Sequence, residues 1–234
     1  MEKILAKVVV GSRLHHTATP ESDWDYRGIF KSDLKSTLSP FRTQKNNSWI
    51  EGDEDNTSYE LRHFCKLATK GDATIWEVFK SDMVIGTSPL HKELQENWMK
   101  FMDTQAFIRA SRGYATNQYK KALSYDDLGE SGQIRTAKFM IAFLRVMWQC
   151  EQYLLTGEFI CSLDTCPYYD FIKQIKGLPR GELDIPLCFS KLEEMNQKLY
   201  KAEEWCKQNA SERYNHKPDI DYIEGFLLRA YKED

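Results

Sequence analysis

The sequence predicts an α+β protein. Strand signals cluster before residue 62, helical signals dominate after it, and the composition is that of a globular chain. With 234 residues, 13% aromatic and 29% charged, the chain can bury a core without disulfide staples. The expected organisation is a core over residues 1–104 with a small sheet, then a helical C-terminal region over 105–234 that can pack with the core as one unit. The net charge of −3 rules out a global basic field, so any nucleic-acid contact has to use a local patch.

The elements follow in order. Residues 4–10 are β-branched and nearly all apolar, which predicts a strand central in a sheet. Residues 13–22 should hold a short helix or turn, and 24–30 a second strand. Residues 31–47 are polar and punctuated by Ser-Pro and Asn-Asn, as in a loop or hairpin excursion. After the acidic run 51–55, residues 56–61 read as a third strand running into a helix whose apolar positions are Leu61, Phe64, Cys65 and Ala68. Amphipathic helices are expected over 89–102, 107–123, 133–156 and 185–208, with a short one over 168–175. Asp126, Asp127 and Glu130 fall in an expected loop with Gly129 and Gly132. Residues 159–162 read as a short extended piece and 211–217 as a loop, and Pro218 opens a last helix.

The six cysteines form no Cys-x-x-Cys and no paired Cys/His spacing, so reduced thiols are expected rather than a zinc site. The N-terminal apolar run is short and breaks at Gly11, unlike a signal peptide. No apolar stretch approaches a membrane span. These features predict a cytoplasmic protein without a membrane partner.

The chemistry concentrates in two places. Val8-Val9-Val10 leads into Gly11-Ser12, a turn that can bring backbone N–H groups and a hydroxyl to a phosphate. Asp23 and Asp25 stand at i and i+2 on a strand, so both carboxylates project from one face. Two such anions are costly unless a cation sits between them, and a divalent metal held by oxygen ligands is the usual one. Arg27 shares that face, where it either holds a phosphate or neutralises the pair. Adjacent residues rarely face one site, so His15 and His16 are not expected to act as joint ligands.

Gly11-Ser12, a spacer with Ala18-Thr19-Pro20, and then Ser22-Asp23-Trp24-Asp25-Tyr26-Arg27-Gly28 resemble the polymerase β nucleotidyltransferase superfamily. The closest likeness is to its branch of predicted nucleotidyltransferases associated with RNA repair in bacteria and phages. That branch usually has an aromatic-Gly pair where this chain has His15-His16. The likeness continues in Asp55, Tyr59-Glu60-Leu61-Arg62-His63-Phe64 and Glu77, with Gly71-Asp72 in place of an Asn-Pro pair. It extends to Gly113-Tyr114-Ala115 with Gln118 and Lys121, next to which Lys120 adds positive charge, and to Lys138 and Arg145. The last two are seven residues apart and so lie on one helix face, which suits a triphosphate or an RNA backbone.

The resemblance implies a small mixed sheet and metal-dependent transfer of NMP from an NTP to a hydroxyl, with Mg2+ or Mn2+ as cofactor. It assigns Asp23, Asp25 and Asp55 as metal-binding catalytic carboxylates, with Glu60 competing for the third place. Gly11 and Ser12 would cradle phosphates, and Arg27, Lys138 and Arg145 would clamp them. Ser22, Glu77 and Lys120 are further candidates. RNA, a tRNA or other RNA end, is the implied acceptor. Protein or small-molecule nucleotidylation uses the same core, and a non-catalytic nucleotide- or RNA-binding protein is the alternative from a different class.

Overall fold

The computed structural model describes residues 3–39, 41, 46–51, 54–124 and 129–232. It divides into two compact units, Met1–Asp103 with His216–Asp234, and Thr104–Asn215.

The first unit is built on a five-stranded mixed sheet in the order β3-β4-β2-β1-β5. Its strands are β1 (Lys3–Val10), β2 (Trp24–Lys31), β3 (Asn46–Glu51), β4 (Glu54–Glu60) and β5 (Val84–Gly86). β1 runs antiparallel to both β2 and β5, β2 pairs parallel with β4, and β4 pairs antiparallel with β3. Val8, Val9 and Val10 are buried, as a strand with partners on both sides requires.

Single-turn helix α1 (Gly11–Leu14) follows β1, and α2 (Leu34–Leu38) lies in the polar excursion after β2. α3 (Leu61–Ala68) and α4 (Ala73–Lys80) follow β4. α3 buries Leu61, Phe64, Cys65 and Ala68, the spacing of one helical face. Gly71 adopts φ +75° between the two helices, and the Asp72 side chain accepts from Thr74 N at 3.0 Å to cap α4. The Gly71-Asp72 pair thus supplies the turn and the cap. α5 (Pro89–Glu96) ends at Asn97, and a 3₁₀ turn, Trp98–Phe101, completes the segment expected as one helix.

An aromatic chain fills the core of this unit. Phe64 and Phe79 lie 5.0 Å apart between ring centroids, Phe79 and Phe101 5.3 Å, and Phe101 meets Phe226 edge-on at 6.3 Å. Phe226 belongs to α11 (Ile220–Lys232), so the C-terminal helix packs in the first unit rather than in the helical region to which residues 105–234 were assigned. Polar contacts fix it there. Buried Lys31 donates to Ala230 O at 2.8 Å, the Tyr231 hydroxyl donates to buried Glu60, and Lys100 pairs with Asp219 at 2.8 Å.

The second unit is helical: α6 (Thr104–Ser124), α7 (Gly129–Thr156), α8 (Tyr169–Ile175), α9 (Ile185–Asn209) and α10 (Ser211–Tyr214). α7 takes in Glu130 and Gly132 of the expected loop, whereas Asp126 and Asp127 lie outside the described residues. Residues 159–162 form no ladder, and the expected 211–217 loop opens with the turn of α10. Thr104 ties the unit together: its hydroxyl sits 2.8 Å from the Tyr153 hydroxyl and donates to Arg213 O at 2.7 Å. The six cysteines are free and buried. No helix among the described residues is long and apolar enough to cross a membrane.

Tyr231→Phe deletes the hydroxyl that the buried Glu60 carboxylate accepts. The expected loss is about 1–3 kcal/mol of unfolding free energy, read as a lower urea midpoint at unchanged m-value. An unchanged midpoint would show that the Tyr231 hydroxyl contributes nothing to holding α11.

Candidate active site

The site is assembled where β1 and β2 part. Val10 and Asp25 are register partners, so the Asp25 side chain stands beside the residue at which β1 turns into α1. That residue, Gly11, has φ +67°, and a Cβ on it would lie 2.1 Å from Asp25 Oδ2. Glycine is required here twice over, by the left-handed backbone and by the close approach of the carboxylate. Ser12 follows half-buried, and its hydroxyl makes no hydrogen bond within the described residues.

The loop between α1 and β2 is pinned by Arg13. Its guanidinium lies 3.9 Å over the Trp24 ring and donates to Ser22 O at 2.6 Å. Ser22 spends its hydroxyl locally, accepting from Thr19 N at 2.9 Å, which makes it a turn residue at this site. Trp24 and Tyr26 stack at 6.1 Å on one face of β2, leaving Asp25 and Arg27 on the other.

The parallel pairing of β2 with β4 places Asp55 directly beside Asp25. Asp23 and Asp55 are exposed and Asp25 is half-buried. Burial pushes the Asp25 carboxyl above its ordinary value. Arg27 opposes the shift, and the negative charges of Asp55, Asp23 and Glu77 add to it. Glu60 lies at the far end of β4, in register with Phe30. It is buried, caps α3 by accepting from Arg62 N at 3.0 Å and His63 N at 3.3 Å, and accepts from Tyr231. The structure therefore brings Asp55, and not Glu60, beside Asp25.

Glu77 is buried. It is 4% exposed in α4, and its Oε1 lies 3.3 Å from Nε2 of His15, itself 4% exposed. His15 thus fills a buried position behind the turn, and His16 adopts φ 58°, the conformation a glycine takes without strain. This accounts for the aromatic-Gly pattern that the two histidines replace. The sequence did hold one signal for Glu77, since it is the single acid within Ile75-Trp76-Glu77-Val78-Phe79, an otherwise apolar run.

The basic candidates downstream belong to the second unit. Lys120 on α6 and Lys138 on α7 are exposed, and Arg145, half-buried on α7, donates to Gln149 Oε1 at 3.3 Å.

Among the described residues no three His, Cys, Asp or Glu side chains close into a ready-made metal cage. The donor set still fits a divalent ion of the Mg2+ kind, which takes one or two carboxylates and completes its shell with substrate phosphates and water. Burial and three neighbouring acids disfavour the ionised form of Asp25 and Arg27 favours it, and a bound cation would favour it further.

Two substitutions test this geometry. Gly11→Ala forces a side chain into the left-handed region and into the Asp25 carboxylate, and should cost at least about 1–2 kcal/mol in a denaturant melt. Asp25→Asn should instead raise the thermal midpoint in chelator at neutral pH. A carboxyl whose folded pKa is raised opposes folding once ionised, so stability is recovered as pH falls through that pKa. The advantage of the variant should be a few degrees, about what 1 kcal/mol gives in a chain this size, and should shrink as pH falls. A pH-independent difference would show that ionisation of the Asp25 carboxyl does not oppose folding.

Comparison with known proteins agrees with this architecture. Residues 2–160 match the model of the RNA repair pathway DNA polymerase beta family. An uncharacterized 38.9 kDa protein from the nrdC-mobD intergenic region of Enterobacteria phage T4 is 28% identical over 131 residues, 51% of this chain. The chain covers only 38% of that relative's length. With the family match running from β1 to beyond the end of α7, this chain belongs to the RNA repair pathway DNA polymerase beta family.

Proposed function

We propose that the chain transfers a nucleoside monophosphate from an NTP to a hydroxyl group of RNA. The observation that carries this is the Asp25 carboxylate packed on Gly11, with Asp55 beside it in parallel register. The acceptor oxygen attacks the α-phosphorus, the bond from that phosphorus to the bridging oxygen breaks, and pyrophosphate leaves. Such a step needs positioning and charge neutralisation more than covalent help.

The residues divide that work. Asp23, Asp25 and Asp55 would hold the divalent ions, Mg2+ or Mn2+. When bound, these neutralise phosphate charge and ease deprotonation of the attacking hydroxyl. Asp55 is exposed at the sheet surface and can take that proton. The free hydroxyl of Ser12 can donate to a phosphate oxygen lying over Gly11, where the absence of a Cβ permits close approach. Arg27, on the carboxylate face, is a phosphate clamp once the acids are engaged by cation. Lys138 and Arg145, on one face of α7, are proposed as phosphate-binding residues. His15 and Glu77 touch no reacting atom in this scheme and support the turn from behind. RNA as acceptor rests on the family's place in RNA repair.

The test is incubation with each α-labelled NTP, Mg2+ or Mn2+, and total cellular RNA or protein. Label is expected in RNA, lost with chelator, and reduced by roughly 10²–10³ in Asp23→Asn and Asp25→Asn, as when one electrostatic group is removed from a reacting centre. Both variants should remain folded. Label in protein alone would replace RNA as the acceptor, and undiminished transfer by Asp25→Asn would overturn the assignment of the site.

A further inference from the structure

We propose that the helical unit carries a pocket for an unpaired nucleobase of an RNA strand, in the cavity where α6, α7 and α9 meet. The idea deepens the proposed function by naming where RNA is held. It rests on that reading only for the choice of RNA over other base-bearing ligands.

The cavity encloses about 300 Å³ within the second unit, the small end of the range for ligand sites. One wall is aromatic. Tyr119 of α6 and Phe189 of α9 meet edge to face at 5.3 Å, and Tyr119 remains 37% exposed, which leaves ring surface open for stacking. A purely apolar lining would suit a lipid or a side chain, but this one also carries groups that read a base edge. Asn196 is exposed at the mouth, and its amide makes no hydrogen bond within the described residues, so it has both a donor and an acceptor to offer. Glu193, one helical turn back, adds acceptors, and its carboxylate is steadied by Gln197 Nε2 at 3.2 Å.

The surroundings fit the rest of a nucleotide. A second cavity of about 490 Å³ adjoins the first, with Arg112 and Asn196 lining both. Arg112 is held at 2.6 Å by Glu203, which fixes the direction of its guanidinium. Lys201 lines the outer cavity and forms no ion pair within the described residues. An exposed aromatic ring, groups that can read a base edge and a nearby lysine suit a single-stranded nucleic acid, since its bases stack and its phosphates follow positive charge. Phe189, Glu193, Asn196 and Lys201 all lie on α9, beyond residue 160 where the family match ends. The pocket is therefore completed by residues outside the matched region.

The experiment is fluorescence anisotropy of a 5′-labelled unstructured RNA decamer with the full chain, in chelator and without NTP. Tyr119→Ala, Asn196→Ala and Lys201→Glu are compared with Lys232→Ala, an exposed position at the end of α11, as the control. The three pocket positions are partly or fully exposed, so unchanged thermal melts are expected. Tyr119→Ala should weaken binding about 10-fold, within the range for losing one stacked base, and Asn196→Ala by less. Lys201→Glu should weaken it and flatten its dependence on salt. Lys232→Ala should bind as wild type. Wild type that does not bind the RNA, or pocket variants that bind it unchanged, would overturn the proposal. RNA binding that depends on Tyr119 in a protein that transfers no label would sink the transfer reading alone, and transfer with affinity indifferent to all three substitutions would sink the pocket alone.

Discussion

The contact between the Asp25 carboxylate and the backbone of Gly11 is the constraint from which the rest of the first unit follows. It exists because Val10 and Asp25 are partners across an antiparallel pair, and because β1 stops being a strand one residue later. A one-residue slip of β2 against β1 would turn the carboxylate to the opposite face, where Trp24 and Tyr26 now stack. That slip is opposed by apolar burial. Val8, Val9, Val10, Ile29 and Phe30 are each 2% exposed or less, and a fully buried side chain of this kind contributes about 1.5–3 kcal/mol. The hydrophobic frame thus fixes a register that the acidic residues alone would not choose.

The anions destabilise what the frame stabilises. Burial is the largest cause that raises the Asp25 carboxyl, the charges of Asp55, Asp23 and Glu77 add to it, and Arg27 opposes it. Repulsion of this kind persists only where surrounding structure over-determines the geometry, and such places are commonly functional. The buried His15–Glu77 pair extends the same logic behind the turn. Two ionisable side chains at 5% exposure are tolerable because each faces the other. His15 occupies its buried position by virtue of this partner, and the strained φ of His16 is the local cost of carrying the chain onward to Thr17, whose N–H returns to Ser12 O.

The sequence made some of this legible and hid the rest for identifiable reasons. β1, β2 and the carboxylate face are local: alternation and a β-branched run suffice to read them. α3 was equally plain from its Leu61, Phe64, Cys65 and Ala68 face. β5 was not readable, since three residues, Val84–Gly86, carry no period and pair only because β1 offers an edge. α4 has a nearly continuous apolar run, which does not distinguish a buried helix from a strand, so the burial of Glu77 could not be read from it. Its partner His15 lies sixty-two positions earlier in the chain, a distance no local pattern spans. The place of α11 was hidden in the same way, because its contacts to Lys31 and Glu60 reach back across most of the chain.

Those long-range contacts bear on the site although they lie far from it. Asp25 and Asp55 are the second residues of β2 and β4, whereas Lys31 and Glu60 are the last residues of the same two strands. α11 holds both of these distal ends, accepting from Lys31 through Ala230 O and donating to Glu60 through Tyr231. A parallel pair lacks the short hairpin that sets register in an antiparallel one, so its alignment has to come from elsewhere. Pinning the ends of β2 and β4 to one helix fixes their relative stagger over the whole length of the ladder, and with it the juxtaposition of Asp25 and Asp55 at the other end. Glu60 serves the site by this route, as a buried anchor that sets where Asp55 stands, and its own carboxylate is already committed to the cap of α3 and to Tyr231.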